Sequence, residues 1–439
     1  MVVMMKMKRI FKNTALYIGI VSTLVATSCK PEIEGFQTTP GEANFSKYIA
    51  VGNSLTAGFA DGGLYLEGQQ VAFPNLIAEQ LRQVGGGDFR SPFFSENERN
   101  GSGYLQLKDL VNGQPVMENI TDNLAYREPG KLSKYTDDVE NLGVPGMRLD
   151  LSKFGPFGAA NMYFERLLQD GDVGTKTYMD FATEKNHTFF SFWLGNNDVL
   201  GNAMNGAVTN PEDPTTVLTE TATFEHAYRE FITKLTENQQ KGVVATIPDV
   251  TAIPFFTTVT RGTLIAAVKA ESGQDVQDLY IEIGTGTSRA ASDDDLFILP
   301  FASAGLLGNT SGENPAPYGL HPSNPIESKY VLDSDEVTAI QARVKAFNNI
   351  IKKVAEEEEL ALADAHAYLN RVQKPGIVYN GVAVNASFIT GNAFSLDGVH
   401  LTPMGNALIA NLFIEAINKQ YRSRIPKVDA SKYRGVRFP

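Results

Sequence analysis

Short apolar runs alternate along this chain with segments whose apolar residues recur at helical spacing. Tyr48 to Val51 is apolar throughout and ends at Gly52. Phe73, Leu76, Ile77, Leu81 and Val84 then follow at the intervals of one helix face, opened by Pro74 and closed by Gly85 to Gly87. The pattern repeats. Residues 188–194 (TFFSFWL) predict a strand, Phe224 to Leu235 a helix, and residues 242–247 (GVVATI) another strand, followed by Pro248 and Asp249. Asp333 and Glu336 form a capping box that predicts a long helix to about Glu358. Residues 360–363 predict a fourth strand. Thr402-Pro403 opens a last helix with Leu408, Ile409, Leu412, Phe413 and Ile417 on one face. Strands that lack polar alternation are covered on both sides, so this order predicts an α/β fold with a parallel sheet between helices. No repeat of fixed period is present. Residues 88–140 and 255–330 carry no clean period and exceed ordinary loop lengths. They read as insertions with local structure over the functional end of one domain spanning 46–439.

Composition narrows the class. The 439 residues are 43% hydrophobic and 20% charged, close to the globular average. A net charge of −12 disfavours a grip on nucleic acid, which needs basic clusters. The single cysteine, Cys29, excludes an internal disulfide framework and any Cys-rich metal site. Residues 1–12 carry Lys6, Lys8, Arg9 and Lys12 and no acid, and Thr14 to Ala26 is mostly apolar. A basic stretch, an apolar run of about 13 residues too short for a permanent span, and small residues before a cysteine form the order of an export signal. Leu24-Val25-Ala26-Thr27-Ser28-Cys29 resembles a bacterial lipoprotein signal, in which the cysteine becomes the lipidated first residue. Residues 1–28 are then the signal and 29–45 a polar tether. Losing 28 residues and four basic charges would leave 411 residues at −16. The expected location is a membrane-anchored lipoprotein of a Gram-negative envelope, palmitate-bearing at Cys29.

Four short motifs fall at the ends of apolar runs. Gly52-Asn53-Ser54-Leu55 puts a serine just beyond a strand, where open α/β sheets bind ligands. Asn141-Leu142-Gly143-Val144-Pro145-Gly146 offers a glycine whose N–H can face outward. Gly195-Asn196-Asn197-Asp198 supplies an amide that can be aimed at a developing oxyanion. Asp397-Gly398-Val399-His400 places an acid three residues before a histidine, able to fix its tautomer. Taken singly, each is also what an ordinary turn or helix cap looks like.

In this order the four motifs resemble the blocks of the SGNH or GDSL hydrolase family of esterases and lipases. The resemblance spans residues 47–420, and in particular the chain is similar to large SGNH lipoproteins of Bacteroidetes-like bacteria. It implies a three-layer α/β/α, flavodoxin-like fold and hydrolysis of carboxylic esters without metal or cofactor. Carried over, Ser54 matches the nucleophile, His400 the general base and Asp397 its orienting acid. The Ser54 and Gly146 N–H groups and the Asn197 side chain match the oxyanion hole, with Gly143 as the fallback for Gly146. Asn53 departs from the pattern, standing where the family usually has Asp. The implied partners are an ester of a lipid or acylated carbohydrate and, through Cys29, a membrane. A non-catalytic glycan- or lipid-binding lipoprotein on the same scaffold, or an acyltransferase, are the competing readings.

Among the other histidines, His321 lacks an acid three residues before it, which favours His400. His366 follows Asp364 and reads as structural or solvent-facing; His187 and His226 are assigned no role. The run Asp293-Asp294-Asp295 lacks the spacing of a calcium loop and reads as a solvated acidic loop. No HExxH zinc motif occurs.

Overall fold

Five strands meet in one parallel sheet: β1 (Tyr48–Gly52), β2 (Asn141–Gly143), β3 (Phe189–Trp193), β4 (Lys241–Ala245) and β5 (Ala361–Ala363). Their spatial order is β5-β4-β3-β1-β2, every neighbouring pair parallel. This is the doubly wound, flavodoxin-like order, in which ligands sit beyond the strand ends where the order reverses, here around β1. The computed structural model describes residues 37–439 apart from 112, 113, 274, 285, 312 and 313. Residues 1–28, expected to be an export signal, and Cys29 lie outside the described residues.

Adjacent side chains on a strand point to opposite faces, and β3 uses this to hold both helix layers. Trp193 packs against Phe73 of α1 (Phe73–Arg82) and Phe413 of α4 (Pro403–Tyr421). Phe192, one residue earlier, packs edge-on against Tyr228 and Phe231 of α2 (Thr221–Thr236). On that same side Phe224 of α2 stacks on Phe347 of α3 (Ser334–Glu357), with ring centroids 3.8 Å apart. All five residues of β1 and of β3 are buried. The result is the expected α/β/α arrangement. The capping box at the start of α3 is formed: Asp333 accepts from the N–H of Asp335 and Glu336, and Glu336 accepts from the N–H of Asp333 at 2.9 Å.

The tether predicted over 29–45 ends earlier than the sequence suggested. Arg424 donates its N–H to the Thr39 carbonyl, Glu42 donates to that of Tyr421, and Phe45 is buried edge-on against Phe189. Polar residues with Pro and Gly read as a linker, yet buried Ala43 and Phe45 and the backbone bonds of Thr39 and Glu42 dock the segment. The irregular stretches also carry structure. Residues 88–140 contain the hairpin Tyr104–Val111 with Gln114–Ile120, and a smaller one at Tyr126–Glu128 with Lys131–Leu132. Residues 255–330 contain the helix Arg261–Ser272 and the hairpin Tyr280–Ile283 with Thr287–Ala290. Among the described residues no helix is long and apolar enough to cross a membrane.

Candidate active site

The serine stands at the turn after β1. The short helix Ser54–Ala57 begins directly, and Asn53 caps it by accepting the Leu55 N–H at 3.1 Å. A neutral amide therefore does the capping that the family's acid would do. Gly52 is required by space, because a Cβ there would overlap the Thr56 hydroxyl.

Ser54 Oγ lies 2.8 Å from His400 Nε2, and His400 Nδ1 lies 2.8 Å from Asp397 Oδ2. With Nδ1–H donated to the carboxylate, Nε2 is left to accept from the hydroxyl. Asp397 also accepts N–H bonds from Val399 at 2.9 Å, His400 at 2.8 Å and Gly62 at 3.0 Å, and the Ser395 hydroxyl at 3.1 Å. Burial alone would push this carboxyl up. The facing His400 and these donors outweigh it and hold the group well below the usual carboxylate range. The Phe59 ring covers the imidazole, with centroids 4.7 Å apart.

A turn missed in the sequence braces this loop. Asp61, at a left-handed φ of 52°, donates its N–H to Ser395 Oγ at 2.9 Å and accepts from Leu396 N–H at 2.9 Å and the Tyr65 hydroxyl at 2.7 Å. Burial first, and the neighbouring Asp397 to a lesser degree, raise its carboxyl above the ordinary value. The turn after Ser54 and the loop holding His400 are thereby tied together.

Gly146 and Asn197 come to the same cleft from the ends of β2 and β3, where they line it beside Ser54 and His400. Gly146 has a φ of 80°, a backbone state that L side chains rarely adopt. Its N–H and that of Ser54 make no hydrogen bond among the described residues. The fallback Gly143 differs: its N–H is donated to Asn141 Oδ1 at 3.0 Å, inside the sheet. Asn197 Nδ2 donates one hydrogen to the Met147 carbonyl at 2.9 Å and keeps the second.

A buried ionic network behind these donors was not foreseen either. The Arg148 guanidinium pairs with Asp150 at 2.7 Å and donates to the carbonyls of Asn197 (3.1 Å), Thr215 and Val217 (2.8 Å each). Fully buried Asp198 accepts from the N–H of Leu149 at 2.8 Å and of Asp150 at 3.1 Å. Burial, and then the charge of Asp150, lift its carboxyl to about 6, against the pull of Arg148. Arg148 and Asp198 thus fix the Gly146–Asp150 loop relative to Asn197. An Arg-x-Asp spacing beside a glycine turn was the only sequence trace of this network.

The other candidates lie apart from the cleft. His321 Nδ1 bonds the Ser323 hydroxyl at 2.7 Å on an exposed turn, and His366 reaches only Asn370 at 3.4 Å. His187 is buried between the carbonyls of Lys185 and Leu235. Of the acidic run, Asp293 is exposed, but Asp295 is buried and held by Arg289, which corrects the expectation of a wholly solvated loop. Among the described residues no group of three or more His, Cys, Asp or Glu is placed to hold a metal ion.

A polar hydroxyl held on an imidazole, itself held by a carboxylate, beside unpaired N–H donors is an arrangement suited to acyl transfer. The sequence profile of the GDSL-like Lipase/Acylhydrolase family matches residues 48–413, and the chain belongs to that family. It is a hydrolase acting on ester bonds. Among solved structures it is similar to a mutant acetyl-xylooligosaccharide esterase from Geobacillus Stearmophilus, at 11% identity over 86% of this chain and 96% of that one, with a TM-score of 0.35. A lipase/acylhydrolase from Enterococcus faecalis matches at 12% identity over 87% and 99%, with a TM-score of 0.34. An extracellular lipase from Streptomyces rimosus matches at 11% identity over 85% and 98%, with a TM-score of 0.33. No curated protein sequence matches the chain.

Proposed function

We propose that the chain hydrolyses carboxylic esters through a covalent acyl-enzyme on Ser54. His400 Nε2 takes the hydroxyl proton as Ser54 Oγ attacks the ester carbonyl. Asp397 holds the imidazole in the required tautomer and stabilises the imidazolium. The N–H groups of Ser54 and Gly146 and the free hydrogen of Asn197 Nδ2 stabilise the tetrahedral oxyanion. The imidazolium then protonates the leaving alkoxide, and the alcohol departs. A water activated by His400 frees the acid and restores the serine. The observation that carries this reading is the pair of 2.8 Å contacts linking Ser54, His400 and Asp397.

Two measurements test it on the full chain. Ser54→Ala should abolish turnover of p-nitrophenyl butyrate, and wild-type-like turnover would refute the nucleophile. A fluorophosphonate probe should label the wild type at Ser54; an unlabelled serine would favour a binding protein on the same scaffold. We further propose that Cys29 carries a lipid anchor that holds the enzyme on a membrane of the cell envelope. Incorporation of labelled palmitate should vanish in Cys29→Ala, and retention of label would remove that assignment.

A further inference from the structure

Two unequal spaces meet at Ser54. Toward the sheet lies an apolar pocket of about 50 Å³, walled by Trp193, Ile253 and Phe394. That is room for a group of a few heavy atoms. Outward lies an open groove of about 960 Å³ that also begins at Ser54 and His400.

The two insertions supply part of the walls of this groove. Leu105, Pro115 and Met117 reach it from the hairpin Tyr104–Val111/Gln114–Ile120, and Leu299 reaches it from the second insertion. Phe59, Leu200, Met204 and Phe388 add to the apolar lining. Leu107, opposite Met117 on the same hairpin face, is buried in a cluster with Ile389 and Leu396. The hairpin is therefore fixed at Leu107, and Leu105 and Met117 pack on that cluster while remaining partly open to the groove. Leu105, Pro115 and Met117 stay half-exposed and Met204 is 36% exposed, although each faces a space large enough for a ligand. Apolar groups left open along a concave wall mark a binding surface.

The polar inventory points the same way. Among the described residues, Asp397 and His400 are the only charged-type side chains on the groove. Asn161, Tyr163, Asn197 and Ser303 also border it; Asn161 Oδ1 accepts from Tyr163 and Phe164 and its Nδ2 donates one hydrogen to Pro145, and Ser303 donates its hydroxyl to the Pro300 carbonyl, so few polar groups are left open along the groove. A sugar chain needs free hydrogen-bonding partners for its hydroxyls, whereas a hydrocarbon chain needs none.

We propose that the groove binds a long, flexible hydrocarbon chain of the ester, so that the enzyme favours medium- and long-chain aliphatic esters over acetate esters of short alcohols. This rests on Ser54 being the nucleophile. The chain can belong to the acyl or the alcohol side, and the test separates the two. kcat/KM is measured with soluble esters below their aggregation concentration, in one series from ethyl acetate to ethyl octanoate and in another from ethyl acetate to octyl acetate. One series should rise about 100-fold or more, as expected from burying most of six methylenes. Met117→Glu and Met204→Glu, on different elements that line the groove, should each lower the long-to-short ratio about tenfold or more, because each places a charge along the chain's path. Two variants guard against a folding failure in either. Flat or falling profiles in both series would overturn the proposal. So would a rising profile that neither variant changes. Absence of turnover on every ester, ethyl acetate included, would overturn both this groove and the nucleophile reading beneath it.

Discussion

The two rims of the cleft are built on different principles. The rim made by the strand ends and the loop before α4 is polar and largely buried, and most of its donors and acceptors have a named partner within about 3 Å. The rim made by the insertions is apolar and half-exposed, anchored through a few contacts such as Leu107 on Leu396. Directional bonds fix angles, while apolar surface fixes only where carbon is welcome. The contrast assigns the rate of the proposed reaction to the first rim and the choice of substrate to the second.

The sharpest way to break that contrast is at His400. His400→Ala should lower kcat by about 10⁴ or more, and the double variant with Ser54→Ala should be no worse than either single one, because the groups act as a unit. Additive losses in p-nitrophenyl butyrate assays would separate what the geometry joins. Next comes the network behind the polar rim. Arg148→Met leaves the carboxylates of Asp150 and Asp198 without their counter-ion, and should cost about 3–5 kcal/mol in urea unfolding. An unchanged midpoint would show that the network carries no strain from its charges. Asn197→Ala should reduce kcat by about 10²–10³ with a smaller change in KM, the pattern of a donor that acts in the transition state. A loss confined to KM would move Asn197 to ground-state binding.

The polar rim should also impose a pH dependence on stability. Asp397 titrates below the ordinary 3.8 in the fold, so the folded state binds fewer protons than the unfolded chain in that window. Its contribution is present above the ordinary value and is lost as pH falls toward the lowered one. Asp397→Asn should therefore flatten the fall of the unfolding free energy between pH 5 and pH 3, by an amount of order 1 kcal/mol. A parallel fall in wild type and variant would count against it. The smallest effect belongs to the other rim. Val116, 37% exposed beside the groove, should tolerate Thr with a change within about ±0.5 kcal/mol and unaltered acetate turnover.

What could be read in the sequence follows the same division. Strands β1, β3, β4 and β5 announced themselves because each is buried on both faces, leaving an unbroken apolar run. Ser54 and Asn197 were legible because each sits in a compact motif at a strand end, and Asp397 and His400 because they share one short motif in the loop before α4. β2 was not, because Asn141–Gly143 is three residues long and reads as a turn. The hairpin strand Tyr104–Val111 hid itself because only Leu107 along it is buried, so no period of two emerges. Helix Arg261–Ser272 buries only Leu264 and Val268 and shows a correspondingly faint stripe. Asp61 and Arg148 were invisible for another reason. Their value lies in partners far along the chain, such as Ser395 and Leu396 for the first and Thr215 and Val217 for the second.

The distances along the chain within the site have one more consequence. Asp397 and His400 are three residues apart and can find each other in a single loop, whereas Ser54 and His400 are separated by 346. Between them the chain must complete β2 to β5 and both insertions before the hydroxyl meets the imidazole. Closing so long a loop late is entropically tolerable, since its cost grows only with the logarithm of length. A chain still emerging from synthesis therefore carries an inert serine for most of its length. Ester turnover in a pulse of newly made protein would time the closure of the whole fold, with the enzyme serving as its own clock.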